Sequence, residues 1–531
     1  SQQQACFWAA ITVPCVPVRA CSEWFGASRA PGSNAAARGC RAQHLSTMLK
    51  TMNCNRGNPD VTGFVLNQVG RGVLFNAALF LLGTYLYLAN KAAGCPNAVC
   101  IDEEDNNRDP TPVPTPSQNC GKVWGARPAA LVSFGLTIGQ VTIACLMPVV
   151  GSVVDHSHHR KSIGMAGLFG AWLVCGLQAA VTRHTWQVLL ILYFTIYMLG
   201  YMANQTCAMA YLPELTEDDD ILASINGRAR VKEMSCMLLY MIVVAASQLV
   251  LKLDAVDTGR VAALVSAVVG GVITLMSWRY FTERPASRVL PENANLLLYG
   301  FVNIRETTKE LYEEAPDLLK FLVSYAFSEA GTGGVVGLVA IYLIEQLEMC
   351  NYVVVLVCAI VFTVPGAALS SKAAQGGRAK RAHAGCLAFL SLVIFCVPFV
   401  IYKPAHAKGG LPWVFAVLLG LGLGFLYPAQ RNVFSVLVPG GMEGRVLGIY
   451  NFFGASLSWM PSLLFGATYQ GTGSMRLGMA LVCVFHAIAC VGLVVCVDVQ
   501  KGSEVSRRTR SKRRGAAFAG GVAPAPAALT T

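Results

Sequence analysis

Two charged residues lie where a charge is costly. Arg71 is the tenth residue of an apolar run over 62–89, and Glu329 is the eleventh residue of another over 319–344. If both runs cross a bilayer from the same side, each residue lies roughly 14–15 Å deep at about 1.5 Å per helical residue. Ionisable groups at that depth face a bundle interior or a water-filled cavity and mark candidate pathways. Three chemistries compete. The Arg71 fork suits a substrate carboxylate. Glu329 suits an amino group or a coupling proton, because partial burial favours the neutral carboxyl. Otherwise the two form a structural ion pair. Both are expected to face such an interior or cavity. Asn204 and Gln205, in a third run over 186–212, offer hydrogen bonds to a solute or to a neighbouring helix. Gly331, Gly333 and Gly334 follow Glu329 closely. Such a cluster either weakens a helix at a binding site or lets small residues pack tightly.

Gly151, Asp155, Arg160 and Lys161 form a second constellation between two apolar runs, interleaved with His156, His158 and His159. A glycine, an acid four residues later and then bases suit a charge network at a gate, since such pairs can differ between two states. The three histidines invite a metal reading, but the loop is short and the adjoining cations disfavour one. A solvated loop is expected, with no metal. A partial copy follows in the second half: Gly366, then Ser370, Lys372, Arg378, Lys380 and Arg381, without the acid. The gate is therefore expected to be asymmetric.

These residues need apolar elements to hold them. Of the 531 residues, 54% are hydrophobic and 13% charged, and mean hydropathy is +0.51. A soluble domain is about a quarter charged. Twelve runs are long enough to span: 62–89, 129–154, 163–182, 186–212, 233–252, 260–282, 319–344, 350–370, 382–402, 412–435, 447–470 and 475–498. A crossing takes about 20 residues, and backbone in hydrocarbon must bond internally, so these are helices. The expected fold is an all-α membrane protein with two six-helix halves, 61–282 and 319–498, joined by a polar linker over 283–318. The linker is expected to include a short amphipathic helix. Residues 1–60 read as a disordered basic extension, with a poorly formed leader as the alternative. Residues 499–531 read as a tail with a basic cluster from Arg507 to Arg514 and an Ala/Pro-rich end.

Lys and Arg number 21 in the loops on the linker's side and 7 in the opposite loops. The first side, with both termini, is therefore expected to face the cytoplasm. The same placement accounts for the net charge of +12 and excludes nucleic acid as a partner. The lipid bilayer is the expected surrounding. Most of the 19 Cys fall in apolar runs as packing residues. Cys95, Cys100 and Cys120 share the one long far-side loop, where Cys120 pairs with one of the others if that compartment is oxidising, or all three stay thiols. A Walker loop, an HExxH pair and a nucleophile elbow are lacking, so neither an enzyme nor a cofactor is expected.

The loop Gly151–Lys161 resembles the signature loop of the major facilitator superfamily, with His156 where an arginine is common. The resemblance implies that its acid and bases hold the cytoplasmic side closed, and that Arg71 and Glu329, on equivalent helices, face one central cavity and interact directly or through substrate. A narrower resemblance starts at Leu212, Pro213 and Glu214, followed by Asn226, Gly227 and Arg228. It continues through Arg431, Phe434, Pro439, Gly441, Glu443, Gly448, Tyr450, Gly454, Ser458, Phe465, Gly466, Gly473, Ser474 and Arg476. Over roughly 61–500 the chain resembles the autophagy-related vacuole effluxer family, in which Arg71 stands at a usually uncharged position. The resemblance implies a secondary transporter that exports amino acids from a vacuole or lysosome-like compartment. A different small solute, or a receptor or scaffold without transport, are the alternatives.

Overall fold

The computed structural model describes residues 58–95, 121–216, 219–286, 290–291, 295–349, 352–374, 377–407, 409–439 and 443–506. The expected N-terminal extension up to residue 57, the basic cluster from Arg507 onward, and Cys100 and Cys120 lie outside the described residues. Within those described, the chain is helical and no strand forms beyond one isolated bridge between Val123 and Ala126.

Six helices make the first half: α1 Pro59–Ala92, α2 Pro128–His156, α3 Arg160–Ala180, α4 Trp186–Tyr211, α5 Asp219–Leu251 and α6 Ala255–Ser277. The linker carries α7, Leu296–Glu314. The second half holds α8 Pro316–Glu345, α9 Tyr352–Ala373, α10 Ala379–Val400, α11 Leu411–Leu437, α12 Glu443–Ser456, α13 Trp459–Thr472 and α14 Met475–Cys496. Eleven of these are long and apolar enough to cross a membrane. Their outer faces carry bare apolar side chains, such as Val250 at 79% exposed and Val495 at 74%, which only lipid can cover.

The run expected to span as one helix over 447–470 is instead two helices, α12 and α13, parted at Leu457 and Ser458. Pro461 explains the break. It has no N–H for the Leu457 carbonyl, and its ring crowds that carbonyl. Ser456 and Ser458 also turn their hydroxyls back onto the carbonyls of Phe453 and Ala455, each at 2.8 Å.

Within the first half α1 lies against α5 and α6, and α3 lies against α4. In the second half α9 packs on α11, α8 on α14, and α10 on both α11 and α14. Small residues set the closest approaches. A Cβ at Gly70 would collide with Gly270 and Thr274 of α6. One at Gly72 would lie 2.9 Å from the Glu233 and Met237 side chains of α5. The two glycines flank Arg71, so its backbone is pressed between two helices. In α6 a π-helical turn, Ser266–Gly271, lies at this contact.

The halves meet where α1 faces α8, α2 faces α13 and α5 faces α9. Their hydrogen bonds gather at one end. Asn90 donates to Glu345 at 2.6 Å, the Arg127 N–H to Gln470 at 2.9 Å, and Gln470 to the Gly125 carbonyl at 3.0 Å. Nearby, Tyr352 donates to the Leu79 carbonyl at 3.3 Å and Ser133 to the Ser462 carbonyl at 2.5 Å. Cys95, at this same end, is disulfide-bonded, and its Sγ lies 3.6 Å from Asn90 Oδ1.

Candidate functional site

Arg71 and Glu329 do not bond to each other: each finds its partners within its own half. Arg71 is 6% exposed and fully engaged inside the first half. It donates to Gln68 at 2.9 and 3.2 Å, to the Tyr201 hydroxyl at 3.3 Å and to Glu233 at 2.5 Å. Its guanidinium also lies 5.9 Å from the Tyr201 ring centre. Glu233 in turn accepts from Arg230 at 2.7 Å, so one buried carboxylate holds two guanidiniums. Glu233 is the first residue of the expected span over 233–252 and is not among the expected site residues. Helix α5 begins at Asp219 and carries it well inside the bundle.

Glu329 accepts from Gln430 of α11 at 2.6 Å and is half-buried. Around it Tyr325 stacks on Tyr450 with ring centres 4.0 Å apart, and Phe434 lies 4.4 Å from Tyr450. Arg431 lies over Tyr450 at 5.9 Å. Helix α8 runs unbroken through the glycine cluster. Gly331 packs under His486 and Gly334 under Pro461, so of the two roles expected for the cluster, close packing is the one seen. His486 itself lies 3.3 Å from the Thr332 hydroxyl.

Asn204 is fully buried and bonded between helices: it accepts from Trp278 at 2.9 Å and from Asn67 at 3.2 Å. Asn67 also donates to Ser277 at 3.0 Å. Asn204 therefore joins α1, α4 and the end of α6, and has no free face for a solute. Its neighbour Gln205 is half-buried on α4.

The loop residues form a network within the first half. Arg160 opens α3, 3% exposed, and pairs with Glu214 at 2.9 Å. Arg284 pairs with the same glutamate at 3.2 Å and with Asp60 at 2.5 Å. Tyr211 lies between the two guanidiniums, 5.2 Å from Arg160 and 5.8 Å from Arg284. Burial works against the charge of Arg284, yet its hydrogen bond to Asp60 and the Glu214 carboxylate hold its pKa above the ordinary arginine value. Lys161 donates to the Phe281 carbonyl at 2.7 Å. This network fastens α1, α3, α4 and the end of α6 together as one body. The Leu-Pro-Glu element after α4 supplies its shared acid.

Asp155 occupies the last turn of α2. Gly151, one turn earlier, faces open space: a Cβ there would meet nothing within 4 Å. Close by, α7 docks on α2. Gly300 presses on the Pro148 carbonyl, Ser152 donates to the Leu296 carbonyl at 2.7 Å, and His156 meets Tyr299 edge-on at 4.9 Å. In the second-half copy, Lys380 caps the end of α14 by donating to the Val494 and Val497 carbonyls at 3.1 and 2.7 Å.

A family profile described as vacuole effluxer Atg22 like matches residues 126–506. The uncharacterized MFS-type transporter YxiO of Bacillus subtilis (strain 168) is 21% identical over 398 residues, covering 73% of this chain and 89% of that protein. Autophagy-related protein 22 of Yarrowia lipolytica (strain CLIB 122 / E 150) is 25% identical over 222 residues, 40% of this chain and 37% of its own. Among solved structures, a D-xylose-proton symporter is similar with a TM-score of 0.58 at 10% identity, over 83% of this chain and 99% of that one. The nucleoside transporter NupG is similar with a TM-score of 0.51 at 12% identity, over 82% and 99%. These structures share the major-facilitator fold, that of transporters and not of enzymes. With the profile matching most of its length, this chain is an integral multi-pass membrane protein that belongs to the vacuole effluxer Atg22-like family.

Proposed function

We propose that the protein is a secondary transporter that moves amino acids out of a vacuole-like compartment by alternating access, with both termini on the cytoplasmic side. The observation that carries this reading is how the two halves are joined. At one end five hydrogen bonds tie them together. Polar ties gathered at one end of two helical bodies suit a molecule whose halves rock about a central site. Between the ends, charge is kept at mid-membrane on both halves, which a purely structural bundle would avoid. The domain limits 61–282 and 319–498 follow the same two-body motion, with 283–318 as the tether. Gly151, Asp155, Arg160 and Lys161 act as the gate on the linker's side, where the first-half charge network stays rigid while the second half swings. Glu329 serves the solute or a coupling proton.

Uptake by purified protein in proteoliposomes, with a panel of amino acids and with or without an imposed pH gradient, tests the reading. Saturable uptake of at least one amino acid is expected. Stimulation by the gradient would assign a proton to the cycle. A panel with no saturable uptake would sink the amino-acid proposal.

A further inference from the structure

We propose that the groove between α3 and α6, at the linker's end of the first half, binds one anionic phospholipid. Lys161 and Arg279 hold its phosphate, and an acyl chain lies along Met165 and Phe169. This goes beyond the proposed function and does not depend on which solute is moved.

The two cations line one groove of about 640 Å³, and no acid is among its lining residues. Chain geometry puts both at the same end of it. Lys161 is the second residue of α3, and Arg279 lies two residues past the end of α6. The Lys161 ammonium gives one N–H to the Phe281 carbonyl at 2.7 Å and has two more. Arg279 is exposed, and among the described residues its guanidinium has no hydrogen bond or ion pair. Two cations without a carboxylate, at the end of a pair of spanning helices, match a phosphate. A zwitterionic headgroup matches less well, because its ammonium finds no acid in the lining.

Beyond the cations the lining is apolar apart from Ser162. Met165, Ala166 and Phe169 come from α3, Leu275 from α6 and Trp278 from just past its end. From Lys161 to Phe169 the helix rises about 12 Å, which carries the lining from headgroup level into hydrocarbon. Met165 is 43% and Phe169 53% exposed, so both present bare apolar surface. A free phosphate would meet the cations and use none of this surface. A phosphate that carries acyl chains matches both parts.

The groove is a fixed cleft inside one half. Gly164 lets α3 close on Trp278, since a Cβ there would collide with the indole ring. Farther along, the Trp172 N–H donates to the Ala267 carbonyl at 3.1 Å and ties the same two helices. Lys161 also connects the groove to the charge network. It holds the Phe281 carbonyl, and the next residue, Thr282, donates its N–H to Asp60 at 2.7 Å.

The purified full-length protein, in a neutral detergent, is titrated with palmitoyl-oleoyl phosphatidylserine, with phosphatidylcholine of the same chains, and with water-soluble glycerol 3-phosphate. Native mass spectrometry counts what stays bound. Wild type is expected to retain one phosphatidylserine about tenfold or more tightly than phosphatidylcholine. Arg279→Gln should weaken phosphatidylserine about fivefold and leave phosphatidylcholine unchanged. Because the Arg279 side chain is exposed and bonds to no described residue, this variant should fold and melt as wild type does. Ala166→Phe fills the groove and should weaken phosphatidylserine with both cations in place. Lys309→Gln removes an exposed charge from α7, outside the groove, and should change nothing. If Arg279→Gln kept the full preference, or Lys309→Gln lowered it equally, the whole basic face would attract lipid and the groove would not be the site. Glycerol 3-phosphate binding as tightly as phosphatidylserine would mean a phosphate site and overturn the lipid. A dimer that Ala166→Phe dissolves would give the groove to a second copy of the chain. None of these readouts uses transport, so a blank uptake panel removes the proposed function and leaves this inference standing.

Discussion

The surroundings of Arg71 in the first half and of Glu329 in the second, here two walls, are built on different principles. The Arg71 wall is saturated: Arg71, Gln68, Tyr201 and Glu233 form a buried network, and the same carboxylate also takes the exposed Arg230. The Glu329 wall is lean: one carboxylate, one amide and a set of rings, with an amide oxygen left over. A buried charge that loses its partner is expensive, whereas an isosteric change beside an open, half-buried group is mild. The first wall should therefore resist perturbation of its charges through stability, and the second should report them through transport.

The largest effect is expected where the saturated wall loses its centre. Glu233→Gln strands Arg71, and unfolding of the detergent-solubilised protein should show a loss of about 3–5 kcal/mol. The same logic covers charge reversal. Arg71→Glu combined with Glu329→Arg would work if the two residues were partners, but it places a second acid against Glu233. That double variant should be less stable than either single change and inactive in uptake. A wild-type melting profile from it would mean that the Glu233 pairing is not what holds Arg71.

Gly72→Ala should come next. Its new methyl meets Glu233 and Met237 at 2.9 Å, and overpacking of this kind costs about 1–3 kcal/mol. Gly151→Ala, into open space, should leave thermal stability unchanged, so the pair separates packing from position. A destabilised Gly151→Ala would argue that the gate end is closed in solution. The lean wall should give the smallest stability change. Glu329→Gln is expected to alter unfolding by less than about 0.5 kcal/mol while uptake falls about tenfold. If it unfolds the protein instead, Glu329 belongs with the structural charges and the contrast between the walls disappears.

Much of this was legible in advance. Run lengths located most of the eleven spans within a few residues, because lipid imposes a length and an apolar composition that one sequence displays locally; the exception is the fifth, expected from residue 233, whose helix begins at Asp219. The six-and-six layout and the loop at Gly151–Lys161 pointed to the fold for the same reason. Other features needed the folded chain. Pro461 was visible, yet other crossings carry prolines inside continuous helices: Pro148, Pro365, Pro398 and Pro428. What set Pro461 apart was the two serines that turned their hydroxyls onto the freed turn. Glycines on either side of Arg71 were a usable sign that its backbone is pressed by neighbours, though not by which ones.

By itself the sequence determined that this protein lives in lipid, where eleven of its apolar helices lie, and that Arg71 and Glu329 fall inside two of them. Those follow from local composition and rise per residue. Only the tertiary structure decided which charges meet. Arg71 and Glu329 have matching depth and opposite sign, but partners in a bundle are set by which helix faces pack together. Glu233 reaches Arg71 across 162 residues because Gly72 lets α5 close on α1. That contact commits Arg71 to structure and leaves Glu329 to a single hydrogen bond, from Gln430.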